Sequence, residues 1–167
     1  SPELMEQGTL FDPDGIVTHV ARLYGGSSFV LADTSGKVRI LFTSRGTNKP
    51  AQDGLVTQIV ATFTPPEDTQ KKRFATCAIS ASPRSRLFAV ASENGLIRLL
   101  QATNQSSIAT IDSSKQSVLT QQPQVLLIGS RDNRLVAYDG KKIATWNIDP
   151  GYPEVSFRAL FGKLWYE

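Results

Sequence analysis

Gly129-Ser130-Arg131-Asp132-Asn133-Arg134-Leu135-Val136-Ala137-Tyr138-Asp139 follows directly on the apolar run Val125-Leu126-Leu127-Ile128. An apolar run, a polar turn and an alternating run that closes on an aromatic residue and Asp together read as a β-hairpin. The phrase recurs as Phe29-Val30-Leu31-Ala32-Asp33-Thr34-Ser35-Gly36-Lys37-Val38-Arg39-Ile40-Leu41 and as Phe88-Ala89-Val90-Ala91-Ser92-Glu93-Asn94-Gly95-Leu96-Ile97-Arg98-Leu99-Leu100. Aligned on the tightest turn residue, Asn133 stands where the other copies have Gly36 and Gly95. Asn is the non-glycine residue that best accepts positive φ, so the turn chemistry is kept. The turn residues lie about 59 and about 38 positions apart, against roughly 40–45 for a four-stranded propeller blade. The longer first interval implies an insertion.

These residues resemble the WD-repeat family of β-propellers. In that family a small residue and Ser close the second strand of a blade, Asp-Gly makes the next turn, and an alternating third strand ends in Trp-Asp. Ser130, Asp132 with Asn133, Leu135 and Tyr138-Asp139 match that order, with Tyr in place of Trp. The second copy keeps Ser92, Asn94-Gly95 and Ile97 and has Leu100-Gln101 where Trp-Asp would stand. The first keeps Gly36, Val38 and Ile40 and ends in Leu41-Phe42, and no Gly-His pair opens any copy. The resemblance spans residues 16–148. It implies an all-β chain of four-stranded antiparallel blades, about three to four in number and part of a larger ring, which serves as an interaction platform for other proteins.

Working outward, residues 1–7 read as a flexible lead-in and 8–167 as one propeller segment. Its blades are expected at 8–63, 74–112 and 116–148, with a further unit starting at 154–167. Within the first, strands are expected at 16–24, 28–32, 37–43 and 55–63, with a short strand at 8–11 ahead of the turn Asp12-Pro13-Asp14-Gly15 and a polar loop at 44–54. Thr64–Arg73 contains Pro65-Pro66, which cannot continue a sheet interior and so reads as an extended linker. The second blade reads as 74–80, 87–92, 96–102 and 107–112, and the third as 116–121, 124–130, 134–138 and 142–148, with Trp146 placed to pack between blades. A rival reading folds 15–63 as a five-stranded oligonucleotide-binding barrel. It leaves the hairpins at 87–100 and 125–138 unexplained. The start at Ser1 without Met and the strand-like finish at Gly162–Glu167 lead us to expect a part of a larger protein.

Composition narrows the chemistry. With 40% hydrophobic and 20% charged residues the chain is globular in type, and its length suits one domain. It has no apolar run of about 18 residues and no leader pattern, so neither membrane insertion nor secretion is expected and the chain is read as intracellular, nucleus or cytoplasm undecided. Cys77 is the single cysteine, within Phe74–Ile79, and reads as a small core residue; an intrachain disulfide and a cysteine zinc site are excluded. His19 is the only histidine, in an alternating strand, so a nucleophile–histidine–acid arrangement has no sequence context. Asp12 with Asp14 and Glu67 with Asp68 lie in turns, where carboxylates serve local hydrogen bonding. Gly25-Gly26-Ser27-Ser28 lacks the lysine and helix of a phosphate loop. No catalytic residue, cofactor or metal is assigned, and the chain is not expected to be an enzyme.

Basic residues are the remaining signal, with a net charge of +3 and a pI near 9.1. Lys71, Lys72 and Arg73 lie in the proline-led linker, Arg84 and Arg86 flank one turn, and Arg131 and Arg134 flank another. If these loops share one rim they converge, and phosphate neutralisation gives salt-dependent affinity. The base-stacking aromatics of single-strand binders are absent around them. The expected partners are therefore other protein subunits, including whatever completes the propeller. RNA or DNA contact is the alternative, and Gly36, Gly95, Ser130, Asp132, Asn133 and Tyr138 are read as builders of the repeat.

Overall fold

The computed structural model describes residues 15–45, 55–115 and 118–148. Eleven strands among them form three antiparallel sheets, each wound in chain order. The first contains β1 (Val17–Arg22), β2 (Ser28–Asp33), β3 (Val38–Arg45) and β4 (Leu55–Phe63). The second contains β5 (Thr76–Ala81), β6 (Leu87–Ser92), β7 (Leu96–Gln101) and β8 (Ser106–Asp112). The third contains β9 (Val125–Ile128), β10 (Arg134–Tyr138) and β11 (Ile143–Asn147). The leading strands lie together, β5 between β1 and β9, so the sheets pack face to face around one edge. This is a run of propeller blades. The readings at 1–14, 46–54 and 149–167, including the further unit, lie outside the described residues.

The strands form where β-branched and aromatic residues alternate and stop where glycine or Asp-led turns interrupt them. Alternation decides which side chains face which neighbour. From the middle sheet, Phe88, Val90 and Leu100 point into a core with Val30, Ala32, Val38 and Ile40 of the first sheet. Ala89, Ala91, Ile97 and Leu99 point the other way, into a core with Leu126, Leu135, Ala137, Ala144 and Trp146 of the third. Every residue of β6 is buried as a result. Phe88, fully buried, meets Phe63 edge-on at 5.7 Å and 76°, and burial of such a side chain contributes about 1.5–3 kcal/mol.

The repeat is visible in irregularities as well as strands. The first and second sheets each have a register shift inside the leading strand's pairing, at Val17/His19 and at Thr76/Ala78. Each has a second between third and fourth strands, at Ile40/Leu41 and Leu99/Leu100. Gly36 and Gly95 both take positive φ, at 77° and 85°, in the turn between second and third strands.

Backbone hydrogen bonds correct the register of the third copy. The N–H groups of Leu23, Ser82 and Gly129 donate to the carbonyls of Ser28, Leu87 and Arg134, so Gly129–Arg134 is the turn between first and second strands. Thr43, Ala102 and Ile148 likewise donate to Ser27, Arg86 and Asn133, which makes Asn133 the counterpart of Arg86 and not of Gly95. The positive φ in this turn belongs to Asp132, at 57°, and not to Asn133. The counterpart of Gly36 and Gly95 is Gly140, φ 95°, one hairpin later. Tyr138-Asp139 therefore closes a second strand, and Trp146-Asn147 takes the place of Leu41-Phe42 and Leu100-Gln101 at the end of a third.

A second difference concerns 116–121, expected as a strand. Residues 118–121 form none: Val118 and Leu119 are buried in the core between second and third sheets, and Thr120 and Gln121 turn their N–H groups onto Asp139. The first strand of this blade is β9. Three strands of the third sheet are accordingly described where the others have four.

Between the first two sheets, Arg98 of β7 is buried with no carboxylate on it among the described residues. Its Nη1 donates to the Thr64 carbonyl at 3.1 Å and its Nη2 to the Gly36 carbonyl at 3.3 Å, while Nε has no partner. Burial lowers its pKa. The equivalent residue of the first sheet, Arg39, has its own acid, Asp33 Oδ2 at 2.8 Å. Arg98 thus works as a clamp between blades, and Arg98→Ala is expected to destabilise the fold by about 2–4 kcal/mol by leaving two carbonyls unpaired. Gly36→Ala should cost more than Gly95→Ala, because a Cβ at Gly36 would lie 2.4 Å from the Phe74 carbonyl whereas at Gly95 the nearest atoms stand at 3.3 Å. Urea unfolding of the three variants tests both statements.

Candidate interaction surfaces

Antiparallel winding sends alternate connections to opposite ends of the sheets. One end carries the turns between first and second strands, at 23–27, 82–86 and 129–133, and the turn between β7 and β8. The other carries the turns between second and third strands, at 34–37, 93–95 and 139–142, and the linkers that lead from sheet to sheet. Arg84, Arg86, Arg131 and Arg134 therefore belong to one end and Lys71, Lys72 and Arg73 to the other. The condition for one convergent basic rim, that these loops share an end, is therefore not met.

At the first end the turns are wired across blades. Arg86 Nη2 donates to Ser28 Oγ at 2.7 Å, joining the first two sheets. Ser82 Oγ accepts the N–H groups of Arg84 and Ser85, each at 3.0 Å, and donates to Asp132 Oδ1, joining the second and third. Asp132, buried at 7% exposure, is thus an inter-blade anchor, and Asp is one of the few non-glycine residues that tolerate the αL conformation it takes. Ser130 is exposed, as are Arg84 and Arg131. Arg86 is occupied by its contact to Ser28.

At the second end the linker is a built turn. Asp68 Oδ1 accepts the N–H groups of Gln70 and Lys72 at 2.9 and 2.6 Å, and Lys71 takes positive φ to complete the loop. Arg73 grips Glu67 through Nε and Nη2 at 3.2 and 3.1 Å, an exposed pair of small energetic value. Lys72 Nζ stands 5.0 Å from the centre of the Phe74 ring. Of the three, Lys71 alone has no side-chain partner of this kind among the described residues.

The strongest polar constellation at this end is Asp139, which the sequence reading treated only as the end of a strand. Its carboxylate is fully buried. Oδ1 accepts the N–H groups of Lys142 and Lys141 at 2.6 and 2.8 Å. Oδ2 accepts the N–H and hydroxyl of Thr120 at 2.7 and 2.8 Å and the N–H of Gln121 at 3.3 Å. The Lys142 N–H is the largest influence; burial opposes it, and the N–H groups of Lys141 and Thr120 help leave the pKa well below the usual carboxylate range. Asp33 is arranged in the same sense: burial raises its pKa, but the Ser35 hydroxyl, Arg39 and the N–H groups of Ser35 and Lys37 outweigh it. The Asp139-Gly140 dipeptide ahead of an alternating run with Trp146 was the signal that locates this site.

Other side chains tested for chemistry are placed as follows. His19 lies on β1, half-buried, with Nδ1 2.8 Å from Thr18 Oγ1. Cys77 is half-buried against the core between second and third sheets; burial, helped by Glu93, pushes its thiol up to about 11. Among the described residues no cluster of three His, Cys, Asp or Glu side chains suits a metal ion, and no helix is long and apolar enough to cross a membrane.

A third surface is apolar. On the side of the third sheet turned away from the second, Val125, Leu127, Tyr138 and Ile143 stand 45%, 57%, 38% and 65% exposed. The equivalent sides of the first and second sheets are covered by the next sheet.

Solved structures share this arrangement. The chain is similar to the β-propeller domain of Cps50 (Swd1) from Myceliophteria thermophila, at 13% identity and a TM-score of 0.63, over 83% of this chain and 40% of that one. It is similar also to U3-55K, at 13% identity and a TM-score of 0.62, over 92% of this chain and 41% of that one. The chain spans about two fifths of the length of the structures it matches. No protein-family model matches it, and no curated protein does. At this identity the likeness establishes the fold, a partial β-propeller.

Two outcomes follow. Asp139→Asn should lower the melting temperature at neutral pH. The folded-state pKa is depressed, so the carboxylate's contribution is fully present above its unfolded value near 4, starts to fall as pH drops below it and is lost only as pH passes through the folded value; the gap between wild type and variant should narrow steadily over that range. Cys77 should react with a disulfide reagent far more slowly at pH 8 in the native protein than in urea, and accelerate as pH approaches 11.

Proposed function

We propose that this chain is a non-catalytic scaffold, a set of β-propeller blades in a subunit that works within a larger multiprotein assembly. The observation that carries this reading is the open side of the third sheet. Two sheets of the same design bury their equivalent sides against a neighbour, and an apolar surface that no other described sheet covers in that position is suited to another β-sheet. The first partner is then the sheet that continues the ring, and the turns at the two ends remain free to meet other proteins through a few anchoring side chains.

The division of basic residues between opposite ends supports protein partners over nucleic acid. One strand cannot meet Arg84 and Arg131 at one end together with Lys71 at the other without passing around the sheets. The same wiring commits polar groups such as Ser82, Arg86, Arg98 and Asp132 to inter-blade contacts.

Sedimentation velocity over a range of concentrations tests the reading. The isolated chain should associate as concentration rises, and Leu127→Lys with Ile143→Lys should return it to monomer without lowering its melting temperature. A wild-type chain that stays monomeric at every concentration contradicts the role given to this surface. Salt-sensitive retention on RNA or duplex DNA, lost when Lys71, Lys72 and Arg73 are neutralised, would favour the nucleic-acid alternative.

A further inference from the structure

A cavity of about 250 Å³ opens at the end that carries the Gly95 turn, between that turn and the linker from the second sheet to the third. A water molecule occupies roughly 30 Å³ of liquid, so there is room for a side chain and not merely for solvent. Its walls include Glu93, Asn94, Ser114, Leu119, Gln121 and Gln122.

The donors in these walls are largely spent. The Gly95 N–H donates to the Ser92 carbonyl, Ser113 N–H to Gly95, Leu119 N–H to Ser113 and Glu93 N–H to Ala75. The Ser113 hydroxyl donates to the Gly95 carbonyl and the Ser114 hydroxyl and N–H to Asp112. Thr120 gives both its donors to Asp139, and Gln121 gives its N–H to the Asp139 carboxylate and its Nε2 to the Asp139 carbonyl. Among the described residues, the amides of Asn94 and Gln122 and the second N–H of the Gln121 amide are the side-chain donors left uncommitted. What remains on offer is mostly acceptors: Gln121 Oε1, the lone pairs of Ser113 and Ser114, and the Glu93 carboxylate, the one charged group in the wall. Glu93 makes no ion pair or side-chain hydrogen bond among the described residues. Leu119, buried, adds an apolar surface beside them.

From this we infer that the cavity receives a cationic side chain, lysine or arginine, from a protein partner. The aliphatic stem lies against Leu119, as long basic side chains do against apolar surface, and the nitrogen head meets Glu93 and the Gln121 oxygen. A carboxylate or phosphate is the wrong ligand, because it would face Glu93 with few free donors. The inference is independent of the open side of the third sheet, so either can fail without the other.

Amide chemical-shift titration of the whole chain tests it with three probes: Nα-acetyl-lysine amide, Nα-acetyl-arginine amide and the neutral isostere Nα-acetyl-citrulline amide. The two cations should shift the amides of Gly95, Ser114, Leu119 and Gln121, and citrulline should bind at least about tenfold more weakly, the loss of one charge-assisted contact. Glu93→Gln, at an exposed turn position, should leave the fold intact and weaken both cations by a similar factor, and Gln122→Glu should strengthen them. Equal binding of citrulline, indifference to Glu93→Gln, shifts confined to another part of the chain, or no response to any probe would overturn the proposal.

Discussion

The structure depends on burial of the middle sheet from both sides. β6 has no exposed face: its even and odd residues enter different cores, so the second sheet cannot be stable without a sheet on each side of it. A single half-polar strand face would have permitted a two-layer domain that ends where it likes. Alternating Phe88-Ala89-Val90-Ala91 does not permit that, and the sheets accumulate as a stack around their leading strands.

Apolar packing alone does not fix how far each sheet turns relative to the next. Polar contacts at the two ends do so. Ser82 to Asp132 and Arg86 to Ser28 join the turns at one end, and Arg98 to the Gly36 and Thr64 carbonyls joins turn and linker at the other. The Asp139 carboxylate then ties residues 120 and 121 back onto the turn at 139–142. These groups satisfy backbone donors and acceptors that the turns would otherwise leave exposed to competition from water. Function is correspondingly left to surfaces that packing has not consumed.

Much of this was legible in the sequence. The strands described in the first two sheets and the positive φ at Gly36 and Gly95 follow from alternation and turn chemistry, and the resemblance to WD-repeat propellers supplied the architecture. The third copy was read one hairpin early, because a polar turn between two alternating strands looks alike whichever pair of strands it joins. Long-range hydrogen bonds, Ile148 to Asn133 above all, distinguish them, and no local pattern encodes those. Asp139-Gly140 with Trp146-Asn147 fits the repeat better than Asp132-Asn133 with Tyr138-Asp139. The error also hid Asp139 as an anchor and turned the linker at 118–121 into a strand. Likewise the sequence left open whether the basic loops share a rim, because it assigns no end of the sheet to a loop; counting strands does.

Native-state hydrogen exchange measures most directly whether two-sided burial of the middle sheet holds the stack together. The account predicts that amides of β6 and β7 exchange most slowly, at the free energy of global unfolding, while β9–β11, with one apolar side facing no other described sheet, open at lower cost. Faster exchange in β6 than in β10, or uniform protection across all three sheets, would contradict it.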